Sequence, residues 1–364
     1  MPSLGAGMEA GTLAEWLVQP GAKVKRGDLI AVVETQKGAI DVEVFESGAI
    51  AKFLVEPGTE VPVGTPLAYI DTGEVAPAAA AEPTAPAAAP APVPTARPRI
   101  SPAARRRARE LGVDVEQLAA AGGEIGLAEV ERAAAGAKAA PAAAQAGMRQ
   151  AIANAMAQSK REIPHYYLAA SVDFSAALDK LQALNQPLPV PDRIVYGVLL
   201  VRAVALAVKR YPDFNGYWVN GRFEAASHAH VGLAISLRQG GLVAPGLLDA
   251  DQKDLRQLMR EFMDLVNRVR AGHMRSSELS EPTITVSSMG EQGVETVYPI
   301  IYPPQVAIVG FGTVAQRPWV VDGRVEPRRV LTATLAADHR VSDGHRGALF
   351  LDHLRRLLEK PEAL

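Results

Sequence analysis

Lys37 lies at the midpoint of an internal repeat. The segment Trp16-Leu17-Val18-Gln19-Pro20-Gly21 returns as Phe53-Leu54-Val55-Glu56-Pro57-Gly58, and the register continues through Val24 and Val61, Gly27 and Gly64, Ile30 and Leu67, Ala31 and Ala68. Lys37 falls between the copies, in Glu34-Thr35-Gln36-Lys37-Gly38-Ala39, with apolar runs 29–33 and 40–45 on either side. A hairpin tip is expected there, and its amine would project as an anchor or as an ordinary solvated turn lysine. The other groups able to do chemistry are seven histidines in a chain with no cysteine. Disulfides, thiolate metal sites and a cysteine nucleophile are thereby excluded, and imidazole is left as the base that titrates near neutrality. His228 and His230 alternate as two residues on one strand face would, but without a third ligand they read as structural and no metal site is assigned. The last histidine-rich stretch with loop character is His339-Arg340-Val341-Ser342-Asp343-Gly344-His345, just before a helical pattern at 346–359.

The elements that must position these groups follow from composition. Residues 74–98 and 136–146 are nearly all Ala and Pro and cannot bury a core. Alternating Ala and Pro favours extended, polyproline-like chain, so the first stretch alone spans roughly 75 Å at ~3.1 Å per residue. Three pieces remain: 1–73, 99–135 and 147–364. In the first, short apolar runs broken by Pro-Gly and lone Gly predict a small all-β sandwich with two related halves. In the second, Ser101-Pro102 starts a helix that Gly112 stops, and a second helix is expected at 127–134. Arg105, Arg106, Arg107 and Arg109 form its basic cluster, suited to carboxylates on a partner protein. No aromatic residues interleave with them, which argues against nucleic acid. The third piece mixes strand-like runs at 166–172, 229–237, 283–287, 306–311 and 330–336 with helical patterns at 194–210 and 254–270, which predicts an α/β sandwich. A net charge of -2 gives no drive toward nucleic acid or anionic membranes, and no apolar run approaches a membrane span. A soluble cytoplasmic protein is expected.

Nearly all of 1–73 resembles a lipoyl domain, with lipoate carried covalently on Lys37. A biotin carrier is similar in fold, but that family places Met on both sides of its lysine, where this chain has Gln36 and Gly38. Residues 99–135 resemble a peripheral subunit-binding domain, which implies a 2-oxo acid decarboxylase component or a dihydrolipoamide dehydrogenase as partner, held through Arg105, Arg106 and Arg109. Essentially all of 147–364 resembles the catalytic domain of dihydrolipoamide acyltransferases of 2-oxo acid dehydrogenase complexes, an α/β sandwich of the chloramphenicol-acetyltransferase-like type. The stretches that carry it are Ile163-Pro164-His165-Tyr166-Tyr167, Gly241-Leu242-Val243-Ala244-Pro245, Pro303-Pro304-Gln305-Val306-Ala307-Ile308 and the His339, Asp343, Gly344 signature.

The resemblance implies transfer of an acyl group, acetyl first, between lipoyl-Lys37 and coenzyme A, in a complex of the pyruvate or acetoin type. It makes His339 the base and Asp343 a residue that fixes its loop. Ser287, with Ser288 as neighbouring competitor, becomes the hydroxyl that steadies the oxyanion. It also implies homotrimers that assemble into a larger core. A thiol with a pKa of ~8.5 needs a base near its own pKa of ~6.5, and a hydroxyl aimed at the oxyanion adds about 3 kcal/mol, so the chemistry and the residues agree. The competing reading is a catalytically silent, lipoyl-bearing scaffold.

Overall fold

A computed structural model describes residues 10–35, 38–72, 104, 106–108, 130, 149–237 and 241–364. By backbone contacts, 1–72 and 148–364 group into one compact unit and 73–147 into another. Within the first unit, two separate hydrophobic cores mark two folding modules.

The N-terminal module is built twice from one plan. Strands β1 (Ala10–Trp16), β3 (Leu29–Thr35), β4 (Gly38–Glu43) and β6 (Glu60–Pro62) form one sheet, while β2 (Lys23–Val24), β5 (Gly48–Phe53) and β7 (Ala68–Asp71) form the other. Equivalent positions of the sequence repeat do equivalent work. Leu13 and Ile50 are both fully buried, each worth roughly 2 kcal/mol of apolar burial. The Gly58 N–H donates to the Leu13 carbonyl at 2.6 Å, as the Gly21 N–H does to Ile50 at 2.7 Å. Both glycines sit at φ +87°, the left-handed region that other residues enter only with strain. The irregularity in β1 between Leu13 and Glu15 recurs in β5 between Ile50 and Lys52. Trp16 and Phe53, which head the two copies, stack on each other with centroids 4.0 Å apart. The predicted two-half sandwich is therefore what forms.

The C-terminal module begins with a helix at 149–162 and is organised by a seven-stranded mixed sheet. Its middle strands, β11 (Val231–Leu233), β16 (Ile284–Ser288) and β17 (Ala307–Phe311), run parallel, with β14 (Gly246–Leu247) on one edge. The long β19 (Arg324–Asp338) lies antiparallel to β17 and to β8 (His165–Asp173), and its outer half forms a hairpin with β18 (Ala315–Val321). Three long helices, Tyr196–Arg210, Leu255–Ala271 and Gly344–Glu359, bury an apolar stripe in the main core, as amphipathic periodicity dictates. The expected strands and helices are all present, with one correction: 229–237 is not one strand but β11 and β12 (Ile235–Ser236), because after Leu233 the chain leaves the seven-stranded sheet and Ile235–Ser236 pair with 242–243 in a separate two-stranded sheet.

In the 73–147 unit, Ala104 and 106–108 are helical, and Ala104, Ala108 and Val130 are fully buried. Spacing of four places Ala104 and Ala108 on one helix face.

Candidate active site

β19 carries its chemistry at its C-terminal end. Asp338, the last residue of the strand, is fully buried, and burying a carboxylate demands a partner. Arg340 supplies it, donating from its backbone N–H at 2.9 Å, from Nε at 3.0 and 3.1 Å, and from Nη2 at 2.6 Å. The guanidinium also lies over the Trp218 ring, 4.5 Å from its centroid. His339 sits between the two members of this pair, so its backbone is clamped on both sides. Its own N–H donates to the Pro164 carbonyl at 3.0 Å, while the ring meets Tyr166 edge-on at 5.3 Å. Tyr166 is fixed in turn by a 2.8 Å hydrogen bond to Ser342, and burial raises its pKa. The imidazole of His339 is exposed in a single chain.

His165 is a second histidine at the same end of the sheet, where it pairs with Asp338 across β8 and β19. Its Nδ1 lies 2.8 Å from the Ile163 carbonyl, while Nε2 is 3.2 Å from the Ile301 N–H. A carbonyl accepts and an amide donates, so the ring is neutral with its proton on Nδ1. Desolvation by burial lowers its pKa in the same sense. This histidine holds the loop at 301 and does not serve as a base.

Asp343 caps the helix Gly344–Glu359, accepting the Arg346 N–H at 2.9 Å. That backbone hydrogen bond lowers its pKa, and a second one from the His345 N–H acts in the same direction. A capping carboxylate kept ionised fixes the turn that follows His339 and is a poor acid.

Ser287 is half-buried near the end of β16, with exposed Ser288 beside it. Register decides its relation to His339. Ser287 lies opposite Gly310 on β17, and Gly310 lies opposite Thr334 on β19. Asp338 is thus about 13 Å further along the sheet and two strands, roughly 10 Å, to the side. One chain does not bring Ser287 and His339 together.

The other expected residues divide as follows. The flanks of Lys37 pair as a hairpin up to Thr35 and Gly38, closed by the Thr35 hydroxyl donating to the Gly38 carbonyl at 3.0 Å. Gln36 and Lys37 themselves lie outside the described residues, as do Arg105 and Arg109, whereas Arg106 is an exposed helical residue. A two-residue link between paired strands fits a lysine-borne group. His230 accepts the Asp249 N–H on Nδ1 at 2.9 Å, and burial lowers its pKa, which makes it part of the loop's scaffolding. Sequence reasoning missed Asp338, Arg340 and His165. Their signal was weak: an Asp-His-Arg run at a strand end shows neither which residue is buried nor which pairs.

Comparison with known proteins places these features in context. Residues 139–364 match the family of 2-oxoacid dehydrogenases acyltransferase (catalytic domain), 1–70 match the family described as biotin-requiring enzyme, and 98–124 match the e3 binding domain. The dihydrolipoyllysine-residue acetyltransferase component of the pyruvate dehydrogenase complex of Rhizobium meliloti is 33% identical, over 99% of this chain and 98% of that protein. Its counterpart in Zymomonas mobilis is 32% identical, over 99% and 97%. Among solved structures, the dihydrolipoamide acetyltransferase of Azotobacter vinelandii, studied for the catalytic roles of a serine, a histidine and an asparagine, aligns with a TM-score of 0.55 at 29% identity, over 59% of this chain and 90% of that one. A cubic core of the pyruvate dehydrogenase multienzyme complex aligns equally well, with the same TM-score and identity.

Proposed function

The chain belongs to the 2-oxoacid dehydrogenase acyltransferase family, and from that premise we propose that it transfers an acetyl group between a lipoyl group on Lys37 and coenzyme A in a pyruvate dehydrogenase complex. Lys37 would hold a lipoyl group in amide linkage, and that group would supply the dithiol chemistry of acyl transfer. The rest is the work of this chain's side chains. His339 takes the proton from the coenzyme A thiol, with its backbone fixed between Asp338 and Arg340 and its ring set edge-on against Tyr166. The hydroxyl of Ser287 donates to the acyl oxygen as negative charge gathers on it. Asp343 keeps the first turn of the last helix fixed behind His339.

The observation that carries the reading is a match of spacing. In the Azotobacter enzyme the studied serine, histidine and asparagine are separated by the same intervals as Ser287, His339 and Asp343. This favours Ser287 over Ser288 and gives Asp343 the position of the asparagine. Because one chain holds Ser287 and His339 apart, the complete site needs two copies, with His339 of one facing Ser287 of the next. Homotrimers that build a larger core meet that need, in keeping with the cubic assembly of the similar structure. The 99–135 segment then binds another enzyme of the complex, dihydrolipoamide dehydrogenase or the decarboxylase, through Arg105, Arg106 and Arg109. The domain limits are those of the sequence reading: 1–73, 99–135 and 147–364, joined by the Ala/Pro linkers.

Turnover with acetyl-coenzyme A and free dihydrolipoamide tests the proposal. The wild-type chain should transfer acetyl groups, and His339→Ala should lose about a hundredfold to ten-thousandfold in kcat while the oligomer persists. Wild-type protein without turnover would mark a silent scaffold instead.

A further inference from the structure

β4, the strand that leads away from Lys37, has β3 on one side. On its other side it takes a strand of the C-terminal module, β15 (His273–Arg275), in parallel register: Ala39 opposite His273, Ile40 opposite Met274, Asp41 opposite Arg275. The sheet of the first module is thereby extended by the second. The Ala39 N–H donates to the Gly272 carbonyl at 3.0 Å, and the Glu43 N–H donates to the Ser276 hydroxyl at 3.0 Å. In return the Ser277 N–H donates to the Glu43 carboxylate at 3.1 Å, and the Ser277 hydroxyl donates to the same oxygen.

Local structure presents this edge. The helix Leu255–Ala271 ends at Gly272 in the left-handed region, φ +83°, which turns the chain into β15 with its carbonyl outward. Gly38 comes so close that a Cβ there would collide with the Gly272 carbonyl oxygen. Met274 is fully buried in the C-terminal core, and Leu279 packs against both cores. Away from the strands the two faces part. A cavity of about 900 Å³ lies between them, lined by Arg26, Glu43, His228, His230, Asp249 and Lys253 among others. The join is narrow, one short strand and the helical turn that follows it.

We propose that β15 is a docking strand for this chain's own lipoyl domain, which it holds by sheet extension along the edge that leads from Lys37. Backbone pairing supplies the affinity and the Glu43–Ser277 contact supplies the register, as in other cases where a strand is added to a sheet edge. Three paired residues make a weak contact, and the tether makes it sufficient by keeping the partner at high local concentration. The docked domain has its β4 edge covered, so any enzyme that must read that edge competes with the dock. That consequence rests on reading 1–73 as a carrier. The strand pairing does not, and it is measured without catalysis.

Hydrogen exchange of the full-length, unlipoylated chain tests it, with each variant read in the opposite module. Gly38→Ala should speed exchange of backbone amides in 272–277 by about tenfold, and Ser277→Asp, which sets a second carboxylate against Glu43, should do the same for 38–43. Ser277→Asp combined with Glu43→Lys re-forms an opposite-charge pair across the join and should return 38–43 to near wild-type protection. β17 and β19 serve as the control, protected throughout. Unchanged exchange in both single variants overturns the dock, and so does failure of the charge-swapped pair to restore protection.

Discussion

Position for position, the two halves of the lipoyl domain agree. Gly21 and Gly58 turn at the same φ, Leu13 and Ile50 fill the same core sites, and Trp16 meets Phe53 at the seam. The site proposed for that domain, Lys37, needs one chain alone, since β3 and β4 pair on either side of it. The acyltransferase domain has no such repeat, and the residues proposed to work in it lie far apart on one sheet, with Ser287 in register with Thr334 through Gly310 and His339 beyond the end of β19. A carrier must be self-sufficient because it travels alone. A transfer site can be shared because the core that holds it does not move.

If the site is shared but specific, the two serines of β16 should separate sharply. Ser287→Ala should lower kcat by about a hundredfold to a thousandfold, as loss of one oxyanion donor does, and Ser288→Ala should stay within about twofold. Equal losses in the acetyl-transfer assay would mean that the spacing match does not single out Ser287. A second contrast concerns stability. Asp338→Ala removes the charged acceptor of the Arg340 N–H and guanidinium and should cost about 2 kcal/mol in denaturant unfolding of the catalytic domain. The smallest effect tests the symmetry of the lipoyl domain. Gly21→Ala and Gly58→Ala place a Cβ in open space but force the same unfavourable backbone, so each should cost about 1 kcal/mol. Thermal unfolding of the two variants should coincide, and a clear difference would show that the halves are not equivalent in energy.

The repeat made the lipoyl domain legible because matched residues 37 positions apart do matched jobs. In the catalytic domain, apolar runs announced the buried strands β16 and β17, whereas the β18–β19 hairpin was overlooked. The outer half of β19, Arg324-Val325-Glu326-Pro327-Arg328-Arg329, is charged and carries a proline, so it does not read as a strand. The turn signal was there: Asp322-Gly323 has positive φ at both residues, as does Asn220-Gly221 between β9 (Gly216–Val219) and β10 (Arg222–Ala225), also missed. Family resemblance singled out His339 and Asp343 as candidates, and it did not single out Asp338 or His165, since burial and the choice of hydrogen-bond partner are properties of the fold. Gly38 is a further case. Its neighbour in space, Gly272, lies far away in sequence and gives no sign there.

The shared site is tested most directly by mixing two dead subunits. Co-expressed in equal amounts, His339→Ala and Ser287→Ala chains should assemble so that about a quarter of the interfaces pair an intact His339 with an intact Ser287. Acetyl transfer should then return to roughly a quarter of the wild-type rate, far above either variant alone. Activity that stays at the level of the single variants would place both residues in the same chain's site and contradict the account.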